Sequence, residues 1–133
     1  MINQETIVAL ATPNGLGAIS VIRISGLNAI SVTEKLFKPK GNKKLSNQKS
    51  HTVHLGHLMK NGHELDEVLV TLFKGPHSYT GENIIEISCH GSNYIQQRIL
   101  TLFTDAGVRL ASPGEFTLRA YLNNKKDLSQ AEA

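Results

Sequence analysis

Apolar and polar positions along the chain alternate in two different periods, and the change from one to the other marks out the elements. Thr6 to Ala11, TIVALA, is an apolar run rich in β-forming residues that stops at Thr12, Pro13, Asn14 and Gly15. A second run, Ile19 to Ser25, follows at once, so the two predict a hairpin whose loop is TPNGLGA. Within the second run Ile22 and Ile24 share one side, and Arg23 shares the other with Ile19 and Val21. Ala29 to Phe37 then changes to helical spacing, with Ile30, Thr33 and Phe37 beside Ala29, Val32 and Leu36, and Pro39 ends it. Lys38 to Ser50, KPKGNKKLSNQKS, has no period and is nearly all polar, which predicts a mobile surface loop.

His51 to Lys60 and Glu67 to Lys74 are strand-like, and Asn61-Gly62 between them is a strong hairpin signal. The connection exceeds two residues if His63 to Asp66 stays outside the second strand. Ser78 to Gly91, SYTGENIIEISCHG, packs a turn, a strand and a second turn together. Its strand, Ile84 to Cys89, places Ile85, Ile87 and Cys89 on one face and Ile84, Glu86 and Ser88 on the other. Glu86 is a carboxylate on an otherwise apolar strand, a costly position unless donors or a cation meet it. Arg23 is its basic counterpart, and for each residue a structural role competes with a ligand-binding one.

Ser92 or Asn93 caps a helix whose stripe is Ile95, Ile99, Leu102, Phe103 and Ala106, ended by Gly107. Val108 to Ala111 predicts a short strand, and Ser112 to Glu115 a turn into a short helix, Phe116 to Leu122, broken by Asn123 to Lys126. Asp127 or Ser129 would cap a further helix, so the chain reads as a piece cut at a domain boundary. The pattern as a whole predicts an α+β domain, a mixed or antiparallel sheet with helices packed on it, over residues 1–122. Residues 123–133 begin a following helical domain.

Composition changes this picture little. With 133 residues the chain can bury a core without staples, and its single cysteine, Cys89, excludes an internal disulfide. No long apolar stretch or basic leader is present, so a cytoplasmic protein with no membrane association is expected. The net charge of +3 comes from Lys38, Lys40, Lys43, Lys44 and Lys49, and setting those aside leaves nine basic against eleven acidic side chains. Any phosphate affinity would therefore belong to that loop and not to the body.

Three candidate chemistries are disfavoured by geometry. Gly15, Gly17 and Ser20 approximate a dinucleotide fingerprint, but they open a strand where that motif requires a helix. His51, His54 and His57, with His63, do not converge on a metal, because strand alternation sends His54 to the opposite face. There is no G-x-x-x-x-G-K-[ST] loop and no G-x-S-x-G elbow, so these residues are expected neither to bind nor to hydrolyse GTP by themselves.

TIVALATPNGLGAISVIRISG, DEVLVTLFKGPHSYTGENIIEISCHGS and SPGEFTLRAYLNNKKDLSQAEA resemble, in that order, the amino-terminal domain of the MnmE/TrmE family of tRNA modification GTPases. The resemblance implies the folate-binding fold of the glycine-cleavage T protein, formyl-tetrahydrofolate as ligand, and a homodimer contact. It places folate contacts at Arg23 in VIRISG, Glu86 in IIEISCHG and Lys125 in NNKKDL. A carboxylate can accept together the adjacent ring N–H and amine that a pterin presents. The resemblance further implies a helical domain and an inserted G domain using GTP, Mg and K ions. It also implies wobble-uridine modification of certain tRNAs with the FAD-dependent partner MnmG (GidA). A second reading is a non-catalytic interaction module for dimerisation or tRNA contact whose folate pocket is vestigial. Asn14, Leu16, Ala18, Ser92 and Lys126 depart from the family's usual residues near the inferred site.

Overall fold

The structure is a computed structural model that describes residues 5–12 and 18–123. Seven strands form one sheet: β1 (Ile7–Leu10), β2 (Ile19–Ser25), β3 (Phe37–Pro39), β4 (Thr52–Lys60), β5 (His63–Phe73), β6 (Ile84–His90) and β7 (Arg109–Leu110). Their order across the sheet is β3-β4-β5-β6-β2-β1-β7. Every neighbouring pair is antiparallel except β1 and β7, which run parallel. Three helices complete the fold, α1 (Ala29–Leu36), α2 (Asn93–Asp105) and α3 (Glu115–Leu122). The expected α+β architecture with a mixed sheet is the observed one.

Strand alternation decides which face meets the helices. Ile22, Ile24, Val70, Leu72, Ile85, Ile87 and Cys89 form one buried cluster with Ala29 and Ile30 of α1 and Ile99, Leu102 and Phe103 of α2. Successive side chains on a strand point to opposite faces, so Arg23 and Glu86 project from the side away from α1 and α2. The α2 stripe works as its spacing predicts. Ser92 caps it by accepting from the Ile95 amide at 3.1 Å. Gly107 ends it at φ 97°, a left-handed conformation that suits glycine.

The segment read as a surface loop departs from expectation. Phe37, placed at the end of a helix by its spacing, instead starts β3, which pairs with β4 through Phe37–Leu58 and Pro39–Gly56. Farther on, Leu45 opens a 3₁₀ turn (Leu45–Asn47) and is buried in the core. Two apolar anchors fix this stretch, and the second, isolated among polar residues, leaves no period to detect. Gly56 makes the close pairing possible, because a Cβ there would lie 2.7 Å from the Phe37 ring.

The β4–β5 hairpin is tighter than the sequence suggested. β5 begins at His63, so Asn61 and Gly62 alone form the turn, with φ of 52° and 79°. Positive φ at both central residues is the type I′ geometry that matches strand twist. The glycines of the TPNGLGA loop lie outside the described residues, whereas Ser20 is a buried residue of β2.

Candidate functional site

Arg23 and Glu86 are direct cross-strand partners on β2 and β6. Their row continues to Ala9 on β1 and Thr71 on β5, so the pair sits near the middle of the sheet. Arg23 Nε donates to Glu86 Oε2 at 2.9 Å, and Nη2 lies 2.8 Å from the same oxygen. About a quarter of each side chain is exposed, 23% and 28%. Glu86 Oε1 accepts nothing from the described residues, so the carboxylate keeps acceptor capacity on its second oxygen.

Two aromatic rings flank the guanidinium. Arg23 Cζ lies 5.0 Å from the Tyr79 ring centre and 5.4 Å from that of Phe116, within cation–π range of both. Tyr79 belongs to the 74–83 connection between β5 and β6, and Phe116 lies in the first turn of α3. These two segments therefore come over the sheet face opposite α1 and α2. They are tied there by Tyr79 Oη and Thr117 Oγ1 at 3.1 Å, and by Asn123 Nδ2 donating to the Thr80 carbonyl at 2.9 Å.

Beneath them runs a network of charges. Ser25 Oγ, two residues along β2 from Arg23, donates to Glu82 Oε1 at 2.8 Å and lies 2.8 Å from Thr80 Oγ1. Arg119 of α3 donates from Nη1 to both Glu82 oxygens at 3.1 and 3.2 Å and from Nη2 to Glu115 Oε2 at 3.2 Å. Arg109 holds Glu115 through Nη2–Oε2 at 2.6 Å and Nη1–Oε1 at 3.1 Å. That pairing, helped by the Ser112 amide and opposed by burial, lowers the Glu115 carboxyl to about 2.

The sequence reading named Arg23 and Glu86, and the fold brings them together. Lys125 lies outside the described residues. Tyr79, Phe116, Glu82 and Arg119 were missed. Tyr79 and Glu82 sit in the turn already singled out, and Glu115 and Arg119 have ordinary helix-surface spacing, so only the tertiary structure reveals their convergence.

The histidines take separate roles. His54 faces the core, where Nε2 meets Thr52 Oγ1 at 2.8 Å and burial lowers its pKa. His57 lies on the other face between Glu64 and Glu67, 3.6 Å from each. Among the described residues no group of three ligating side chains could hold a metal, and no helix is long and apolar enough to cross a membrane.

The sequence profile of a family described as "GTP-binding protein TrmE N-terminus" matches residues 6–125. The chain belongs to the TrmE amino-terminal family. The match covers every described strand and helix of this TrmE domain. It is 65% identical over 133 residues to a protein of Flavobacterium johnsoniae named tRNA modification GTPase MnmE, covering all of this chain and 28% of that protein. Proteins of the same name from Flavobacterium psychrophilum and Bacteroides thetaiotaomicron are 60% and 54% identical, over 100% and 98% of the chain. The chain spans 29% and 28% of their lengths. It is thus of the kind found as the amino-terminal domain of tRNA modification GTPases.

Proposed function

We propose that this TrmE domain binds formyl-tetrahydrofolate and forms the homodimer contact of a GTPase that modifies the wobble uridine of certain tRNAs. The observation that carries the ligand assignment is the Arg23–Glu86 pair set between Tyr79 and Phe116. A pterin offers a ring N–H and an amine side by side, and Glu86 has acceptor capacity left on Oε1 for such donors. Arg23 supplies positive charge for a carbonyl or carboxylate oxygen of the ligand. The flat aromatic walls suit a planar heterocycle. Lys125 is assigned as a third contact. It follows soon after Asn123, whose side chain is bonded to the 74–83 connection.

Leu118 and Leu122, one turn apart on α3, are both exposed and provide apolar surface for a subunit contact. We place the domain boundary after residue 122, where α3 ends, with residues 123–133 starting a helical domain. The relatives are more than three times as long as this chain. We assign GTP, Mg and K ions to the remainder of such a protein, which would act in the cytoplasm with tRNA and the FAD-dependent partner MnmG.

One observation favours a second reading, an interaction module for dimerisation or tRNA contact with a vestigial pocket. Arg23 already compensates Glu86, so the pair is stable without a ligand. Calorimetric titration with formyl-tetrahydrofolate separates the two. Saturable heat with a raised melting temperature is expected for folate binding. Absence of both at ligand concentrations well above micromolar would leave the interaction module.

A further inference from the structure

We infer that Arg119 is the positioning residue of the Arg23–Glu86 site, setting Tyr79 and Phe116 beside Arg23 through the two carboxylates it holds. The inference rests on the folate-binding reading and adds a determinant of affinity that touches neither the pair nor the ligand.

Arg119 is 2% exposed, and it spans two segments that have no covalent reason to stay together. One carboxylate it grips, Glu82, lies three residues after Tyr79; the other, Glu115, immediately precedes Phe116. Its grip on Glu82 reaches the sheet itself, because Ser25 of β2 donates to the same Oε1. Three structural pieces thus meet at one guanidinium: the strand that carries Arg23, the connection that carries Tyr79 and the helix that carries Phe116.

Stability alone does not account for this arrangement. Burying ions rarely improves on apolar side chains of similar volume. Arg119 Nε, moreover, is buried with no hydrogen-bond partner among the described residues. A rigid guanidinium fork does fix directions, since each nitrogen must point at its own carboxylate. The other ties between the two segments, Tyr79 with Thr117 and Asn123 with Thr80, involve single hydrogen bonds nearer the surface. Arg109 pairs with the second carboxylate and also meets Glu5 at 3.4 Å, so each carboxylate that Arg119 holds is matched by a guanidinium.

The test combines affinity with a reporter on Arg23. Arg119→Met keeps the stem and removes the fork, and the purified protein is titrated with formyl-tetrahydrofolate below its unfolding transition. Affinity should fall about tenfold, within the coupling range for residues of one network. In a Tyr79→Ala/Phe116→Ala background the same change should cost less than about twofold, because both walls it positions are already gone. Arg119→Lys should not rescue, since it keeps charge without the fork. The Arg23 Nε–H resonance, flanked by two rings, should also move in Arg119→Met. Unchanged affinity and resonance in a folded variant, or additive losses in the background lacking both Tyr79 and Phe116 rings, overturn the proposal. If Arg119→Met does not fold, Glu82→Gln, which keeps an acceptor for Ser25, is put through the same cycle with the same outcomes. Should the unaltered protein bind no folate, the folate reading fails by itself. The Arg23 resonance then decides positioning: movement supports it and constancy overturns it.

Discussion

Arg23 and Glu86 face each other across β2 and β6, with Nε and Nη2 of the arginine both directed at a single carboxylate oxygen, Oε2, at 2.9 and 2.8 Å. Each is the charged residue of a strand whose other face is buried under α1 and α2. A cross-strand pair in an antiparallel sheet brings its Cβ atoms to about 5 Å, so either charge alone would leave the other poorly compensated. The asymmetric contact leaves Oε1 as the acceptor that the proposed ligand would use.

Acid should loosen the network beneath the site. The Arg109 hydrogen bond, ahead of the Ser112 amide, holds the Glu115 carboxyl at about 2, below its ordinary 4.5. Because the folded value is the lower one, the stabilisation is complete above about 4.5 and is lost as pH falls toward 2. The Glu115 contribution to the thermal midpoint, read as the difference between the unaltered protein and Glu115→Gln, should therefore stay level from neutral pH down to about pH 5 and then decline. Glu115→Gln should lower stability at pH 7 by about 1 to 3 kcal/mol. Melting curves across the pH range check both.

Cys89 should be chemically quiet in the folded protein. Burial, with a smaller contribution from Asp66, raises its thiol to about 11, and Sγ donates to the Ser20 carbonyl. At pH 8 the native thiol should react with an aromatic disulfide reagent more than about a hundredfold slower than in denaturant. Stopped-flow absorbance gives both rates.

Gly56→Ala should detach the edge strand. The added methyl would sit 2.7 Å from the Phe37 ring and press on the Lys38 carbonyl, so β3 must move. Overpacking of this kind costs about 1 to 3 kcal/mol, read as a lower urea midpoint. Amide exchange should speed up at Lys40, which bonds to Leu55 beside this pairing.

Local periodicity carried some of this structure and not the rest, for identifiable reasons. Alternation in VIRIS and IIEISC placed Arg23 and Glu86 on strands with the correct faces, but it contains no register, so their direct opposition emerges only from the sheet. The α2 stripe and its Ser92 cap were plain because a whole face repeats. Phe37 was misplaced because its spacing continues the α1 stripe, and Leu45 because a single buried side chain in a polar segment has no period. Tyr79, Glu82 and Arg119 were silent for a different reason. Their partners are distant in sequence, and Arg119, four residues after Glu115, looks like an ordinary surface pair until the fold closes over it.

Glu86→Gln tests the central claim most directly, with affinity for formyl-tetrahydrofolate measured by calorimetry alongside Glu86→Ala. The alanine change should weaken binding about tenfold to a hundredfold, the loss of a charge-assisted hydrogen bond. Glutamine keeps the shape but sets an amide donor against a donor, so it should be nearly as damaging. A folded Glu86→Gln protein that binds with unchanged affinity would show that the carboxylate serves only its pairing with Arg23, contradicting the assignment of this site.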